Sequence, residues 1–293
     1  MSAGLARAMV PTPPAPDVSR ATLLALAKAD ARRYARHPLF VLPCVLLIVL
    51  MIVDYVQNKG GGTNPMVATM TIAFLLGVFG FVIAHRLTTS LRRTRELVGT
   101  VPVDHQARTL SLCLACLVSG MAGAACAVHM LIVNALWPPQ GIPPSAPVTW
   151  FGDYPAVDVL ATLILMGPLA ALGGPLLGVA VARWAPFRGS ALLGVVVLVV
   201  ATAIPASDDR GGAERLASAW PVLMDEHVEN GKVLSTTFVA SIEPVWALGW
   251  VLCLCGLAVV AALLRDPAHR RVLVIAGAAL TLGAAVSFAL ALS

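Results

Sequence analysis

"SLRRTRELVGTVPVDHQART", residues 90–109, sets four arginines, one glutamate and one proline between two long apolar stretches. Elsewhere the chain avoids charge: of 293 residues, 58% are hydrophobic and only 12% are charged, and the mean hydropathy is +0.85. Soluble domains carry about a quarter of charged residues, so this composition points to an integral membrane protein. The net charge of +5 does not indicate nucleic acid as a partner, because no basic stretch is interleaved with aromatic residues that could stack on bases. The partner implied by composition is membrane lipid.

A helix needs about 20 apolar residues to cross a bilayer. Working outward from 90–109, charge-free stretches of that order cover residues 38–53, 60–84, 109–136, 159–182, 189–206, 244–264 and 272–293. Period-2 alternation is absent, and lipid tolerates no unpaired backbone groups, so these are helices rather than strands. The expected fold is all-α and polytopic, with seven transmembrane helices. Ahead of them, residues 1–20 are Pro-rich and polar with no apolar core, which reads as a disordered tail and not a signal peptide.

Lys and Arg are retained in cytoplasmic loops during insertion. Sixteen of the 20 basic residues fall before the first span or in the second-to-third, fourth-to-fifth and sixth-to-seventh connections. The other side holds only Lys59, Arg210, Arg215 and Lys232, against a surplus of acids in the long loop 207–243. The expected orientation puts the N-terminus in the cytoplasm and the C-terminus outside.

The opening stretch therefore belongs to a cytoplasmic loop, residues 85–108. Residues 88–98 lack Gly and Pro, Gly99-Thr100 is a stop signal, and Pro102 imposes an extended turn. The spacing predicts a short surface helix on the cytoplasmic face. A positive-inside anchor accounts for the arginines alone, but not for this succession of helix, turn and proline.

A second cytoplasmic element covers residues 21–37. Leu23, Leu24, Ala27, Ala31 and Tyr34 share one face at 100° per residue, with Lys28, Arg32, Arg33 and Arg36 opposite. That pattern predicts an amphipathic helix lying along the inner leaflet, after which Pro38 turns the chain into the bilayer. Asp30, near the apolar edge, does not fit it.

An interfacial elbow helix, a first hairpin and a charged cytoplasmic segment ending in "GTVPV" together resemble the membrane (permease) subunit of type-2 ATP-binding cassette (ABC) exporters. The matching positions are Arg92, Glu96, Gly99, Thr100, Pro102 and Arg108, within a resemblance covering residues 21–264. The family usually has six spans, so the seventh is an addition, and loop 207–243 is more acidic than a re-entrant segment would be.

The resemblance implies a permease half working with a separate cytoplasmic ATPase subunit and a second permease chain, and the high Ala, Gly, Val and Arg usage points to a bacterium, whose plasma membrane is the expected location. It also implies that residues 85–108 form the coupling loop, in which Arg92, Arg93, Arg95 and Glu96 seat on the ATPase, beside Gly99, Pro102 and Arg108. ATP and Mg would be bound by that partner: this chain has no G-x-x-x-x-G-K-[ST] loop, and Asn230-Gly231-Lys232-Val233 lacks the upstream glycine. The alternative is a membrane scaffold or sensor that docks a different soluble protein.

Other chemistry is sparse. His129 falls inside the third span, where an ionisable residue is a candidate for the pathway and otherwise hydrogen-bonds across helices. Pro168 and Pro175 are expected to kink or break the fourth helix as a hinge, and the small residues of 119–127 and 167–178 to allow close helix approach.

Asp225, Glu226, His227 and Glu229 read as a solvated acidic loop rather than a cation site, and the six cysteines as buried thiols. No enzyme class fits: there is no lysine in the seventh span for a Schiff base, no second intramembrane histidine for haem, and no H-E-x-x-H.

Overall fold

A computed structural model describes residues 20–57, 65–98, 105–136, 155–187, 189–203, 212–218, 224–229, 232–238, 242–266 and 269–293. Along the chain run α1 (Arg20–Ala35), α2 (Pro38–Gln57), α3 (Pro65–Val98), α4 (His105–Ala115), α5 (Leu117–Leu136) and α6 (Ala156–Ile164). A π-helical turn (Leu165–Leu169) leads into α7 (Ala170–Trp184), α8 (Ser190–Ala203) and α9 (Gly212–Leu216), and then the strands β1 (Met224–Glu229) and β2 (Lys232–Phe238). The helices α10 (Pro244–Leu264) and α11 (Arg270–Ala291) complete the chain.

Each of the seven apolar stretches is largely helical over its described residues. Among the described residues, five helical segments are long and apolar enough to cross a membrane, Ala73–Ser90, His105–His129, Ala156–Trp184, Pro244–Leu264 and Arg270–Ala291, beside the shorter apolar segments Pro38–Val49 of α2 and Ser190–Thr202 of α8. Several apolar helices of this kind are compatible with a multi-pass membrane protein.

The predicted short surface helix at 88–98 is corrected: those residues are the far end of α3, which runs unbroken for 34 residues, about 51 Å. Nothing between Ser90 and Val98 stops it, and the hydroxyls of Thr88, Thr89 and Ser90 bond back to carbonyls of the preceding turn, which satisfies them without ending the helix. The third stretch starts a turn earlier than expected, at His105, and divides at Cys116 into α4 and α5.

The fourth stretch does not break at its prolines. Pro168 lies in the π turn, whose wider winding accommodates a ring that clashes with an α-helical carbonyl, and Pro175 lies inside α7. Loop 207–243 also departs from the all-α expectation, because β1 and β2 form an antiparallel hairpin. The pairs His227↔Ser235 and Val228↔Val233 leave Leu234 as a one-residue bulge, and Glu229↔Lys232 flanks an Asn-Gly pair, a strong two-residue hairpin signal.

The main core gathers Tyr34 and Phe40 with Leu76 and Ile83 of α3, Leu112 of α4, Leu176 and Val179 of α7, and Ala262 of α10. At its centre α3 and α7 approach along glycines. A methyl group on Gly77 would lie 2.9 Å from the Ala170 carbonyl oxygen, and methyls on Gly174 and Gly178 would overlap the backbone of Gly77 and Phe81. The same closeness joins α5 to the π turn, where a methyl on Gly123 would lie 2.6 Å from the Gly167 oxygen. In lipid, such backbone approach supplies the dispersion contact that a hydrophobic driving force cannot.

A second cluster joins Leu163, Leu165 and Met166 to Leu216, Ile242, Ala247 and Ala291, and the Trp250 indole donates to the Leu216 carbonyl. Helix α11 packs chiefly along α10 at the edge of the bundle.

Candidate functional site

The segment singled out by sequence is held by three helices. Its first arm is the end of α3, which carries Arg92, Arg93, Arg95 and Glu96 on helical backbone. Its second arm is α4, which carries Arg108, half-buried, in its first turns. Gly99 and Pro102 lie in 99–104, outside the described residues; of the expected loop 85–108, residues 85–98 are helical in α3 and 105–108 in α4.

The third helix is α1. Its buried residues are Ala27, Asp30 and Tyr34, one stripe at i, i+3 and i+7 that packs against α4. Leu23 is half-buried, while Leu24, assigned to the apolar face, is exposed along with Arg32, Arg33 and Arg36. The buried stripe is thus rotated toward Asp30, because that face meets protein.

Asp30, the residue without a place in the sequence pattern, is 7% exposed. The Ser111 hydroxyl of α4 donates to its Oδ2 at 2.8 Å and also lies 2.8 Å from the Arg108 carbonyl. Arg33 reaches Oδ1 from the exposed side at 3.8 Å. A buried carboxylate demands donors, and this one finds them on the helix that leads out of the loop.

One turn further, Tyr34 is 1% exposed. Its hydroxyl donates to Ser119 Oγ on α5 at 3.3 Å, and Ser119 Oγ lies 3.5 Å from the Leu76 carbonyl on α3. A methyl on Gly80 would fall 2.6 Å from the Tyr34 oxygen, so the phenol enters the bundle where α3 lacks a side chain. Burial, then the neighbouring Cys116, pushes the phenol pKa far up against the opposing Ser119 bond, and the hydroxyl stays a neutral donor.

At the junction of α1 and α2 the Leu39 amide donates to His37 Nδ1 at 3.2 Å, capping α2. Burial, and secondarily Arg86, holds the His37 pKa below its ordinary 6.5.

Two further groups of polar contacts join helices. Arg183, at the end of α7, pairs with Asp266 at 2.6 Å while its Nε donates to the Ala262 carbonyl at 3.3 Å. Arg265 returns a bond to the Arg183 carbonyl, and the Trp184 indole donates to the Ala261 carbonyl at 2.8 Å. In α3, His85 Nε2 lies 2.8 Å from Ser190 Oγ, whose hydroxyl also reaches the Phe187 carbonyl at 2.9 Å.

The remaining candidates are scattered. His129 is exposed on α5, Pro168 is half-buried at the π turn, and Pro175 is buried against Gly80. Cys113, Cys116, Cys126 and Cys255 are buried thiols, Cys44 and Cys253 are half-buried, and all six are free. Among the described residues no three metal-ligating side chains converge.

The polar contacts of Asp30, Ser111, Ser119, Arg183 and Asp266 carried no motif, although Asp30 did stand out as the one acid in a basic helix. Among the described residues, α4 is joined to α1 by the Asp30–Ser111 contact, and α1 to α5 through Tyr34 and Ser119. Comparison with family models, with curated proteins and with solved structures returns no match.

Proposed function

We propose that the chain is the permease half of an ATP-driven ABC exporter, coupled through residues 85–108 to a separate cytoplasmic ATPase that binds ATP and Mg. The observation that carries this reading is the pair of helical arms around 99–104. The end of α3 extends beyond its apolar stretch to Val98, α4 restarts at His105, and α1 bonds to α4 through Asp30–Ser111. A simple topology anchor has no need of such stiffness, whereas a loop that transmits the closure of a soluble engine does. Arg92, Arg93, Arg95, Glu96 and Arg108 are the groups we assign to docking, where ion pairs at a rim steer and register a partner more than they add affinity.

In this reading the N-terminus is cytoplasmic in a bacterial plasma membrane, and a second permease chain completes the pathway, since alternating access needs two facing halves. Pro168 in its π turn is the hinge, and His129 a pathway residue. Spans without a mid-depth ring of charge suit an amphiphilic or hydrophobic cargo.

The test is co-purification in mild detergent with the ATPase encoded beside it, using wild type and the Arg93→Ala/Glu96→Ala pair. Loss of the ATPase from a folded double variant is the expected result. Retention of the ATPase by that variant, or no ATPase bound to the wild type, overturns the coupling role and favours the scaffold or sensor.

A further inference from the structure

Helix α7 meets α3 and α10 in different ways. Against α3 the approach is backbone on backbone, since methyls on Gly174 and Gly178 would overlap Gly77 and Phe81. Toward α10 there is more room: a methyl on Gly173 would meet only Cys255 Sγ, at 3.8 Å, an ordinary van der Waals contact. The glycines of α10 and α11 knit those two helices to each other instead. A methyl on Gly249 would lie 3.0 Å from Ser287 Oγ, one on Gly256 3.0 Å from Leu280 Cδ1, and one on Gly283 3.3 Å from Cys253 Sγ. At its glycines the α10–α11 hairpin is packed more closely within itself than against α7.

The polar contacts between α7 and the hairpin gather at one end. Arg183 holds Asp266 and the Ala262 carbonyl, Trp184 donates to the Ala261 carbonyl, and Arg265 donates back to the Arg183 carbonyl. At the other end the contact is apolar: Ile242 and Ala247 pack with Leu163, Leu165 and Met166, which lie just ahead of α7. Apolar contact is non-directional and survives a small rotation, whereas hydrogen bonds weaken steeply with distance and angle. From Ala247 to Ala262, α10 extends about 22 Å, so a rotation of about 10° about the apolar end carries the polar end about 4 Å and parts its bonds.

We propose that the α10–α11 hairpin is a separately moving unit, which pivots about its apolar end and is latched to α7 by Arg183 and Asp266. Release of the latch parts α10 from α7 along the line of Gly173 and Cys255, and leaves the seams of α7 with α3 and of α10 with α11 closed. The latch is a property of this chain alone and does not rest on the ATPase reading.

Native thiols report the motion. Cys255, 9% exposed, faces α7 across Gly173, Cys253 faces α11 across Gly283, and Cys126 is buried on α5. The test labels the full chain in mild detergent with N-ethylmaleimide for increasing times and quantifies each cysteine by peptide mass spectrometry. Loss of one charge-assisted hydrogen bond shifts an opening equilibrium by roughly tenfold or more. Arg183→Gln and Asp266→Asn are therefore each expected to label Cys255 at least about tenfold faster than wild type, while Cys253 and Cys126 keep their wild-type rates.

An unchanged Cys255 rate in either folded variant overturns the proposal. A parallel rise at Cys126 overturns it in favour of general loosening, and a parallel rise at Cys253 in favour of a hairpin that comes apart. Where a charge variant does not fold, Trp184→Phe decides, because it removes only the indole donor of an exposed ring: a rise confined to Cys255 upholds the latch, and no rise overturns it.

Discussion

Asp30 and Ser111 stand 81 residues apart in sequence and 2.8 Å apart in space, on α1 and α4. Through that contact a helix that composition alone would leave on the membrane surface becomes part of the bundle wall. A hydrogen bond to a charged group contributes about 1.5–3 kcal/mol. Ser111→Ala is therefore expected to destabilise the protein by about that amount, since a buried carboxylate loses its principal donor, and to raise amide exchange along α1. Asp30→Asn, which retains an acceptor without the charge, costs less. Thermal melts in detergent and hydrogen exchange measure both, and unchanged exchange in α1 would count against the contact as its anchor.

Gly173 and Gly174 are neighbours with opposite surroundings. A methyl on Gly174 overlaps the backbone of Gly77, whereas a methyl on Gly173 meets only Cys255 Sγ at 3.8 Å. Overpacking a tight seam costs about 1–3 kcal/mol, so Gly174→Ala should lower the melting temperature clearly while Gly173→Ala leaves it nearly unchanged. Equal tolerance of the two substitutions would contradict the close approach of α3 and α7.

Arg183 uses two different nitrogens, one for Asp266 and one for the Ala262 carbonyl. Lysine has one nitrogen and no planar fork, so Arg183→Lys is not conservative here. We expect Arg183→Lys and Asp266→Asn each to cost about 2 kcal/mol. In the double variant the losses should be strongly non-additive, as they are for residues in one network. Additive losses would mean that the two side chains act separately.

His37 Nδ1 accepts the Leu39 amide only while it is unprotonated. Burial, then Arg86, holds the pKa of folded His37 below its ordinary 6.5, so the folded state binds fewer protons than the unfolded one. The contribution to stability is complete above the ordinary value and is lost as pH falls below it toward the folded value. Amide exchange at the start of α2 should therefore rise on acidification through that range. His37→Asn, which keeps a capping acceptor with nothing to titrate, should abolish the dependence. A pH dependence that persists in this variant would assign it to another group.

Hydropathy by itself located the apolar helices, in a pattern compatible with a multi-pass membrane protein, because burial in lipid selects long charge-free stretches whatever the order in which they pack. The absence of helix breakers between residues 88 and 98 carried the information that α3 continues, and the Asn-Gly pair at 230–231 carried the hairpin. Both are local signals, decided within a few residues of backbone.

What only the tertiary structure decided is which polar groups meet. Nothing local pairs Asp30 with Ser111, Tyr34 with Ser119, or Arg183 with Asp266. On α1, Ala27 and Tyr34 are buried as an apolar face requires, and Asp30 is buried beside them because a distant helix supplies its donor. Pro168 likewise remains inside a continuous helix through a π turn packed against α5. Such pairings depend on how the helices cross, and that is settled by backbone contact at glycines such as Gly77, Gly123 and Gly174, a property of two surfaces together and of neither sequence segment alone.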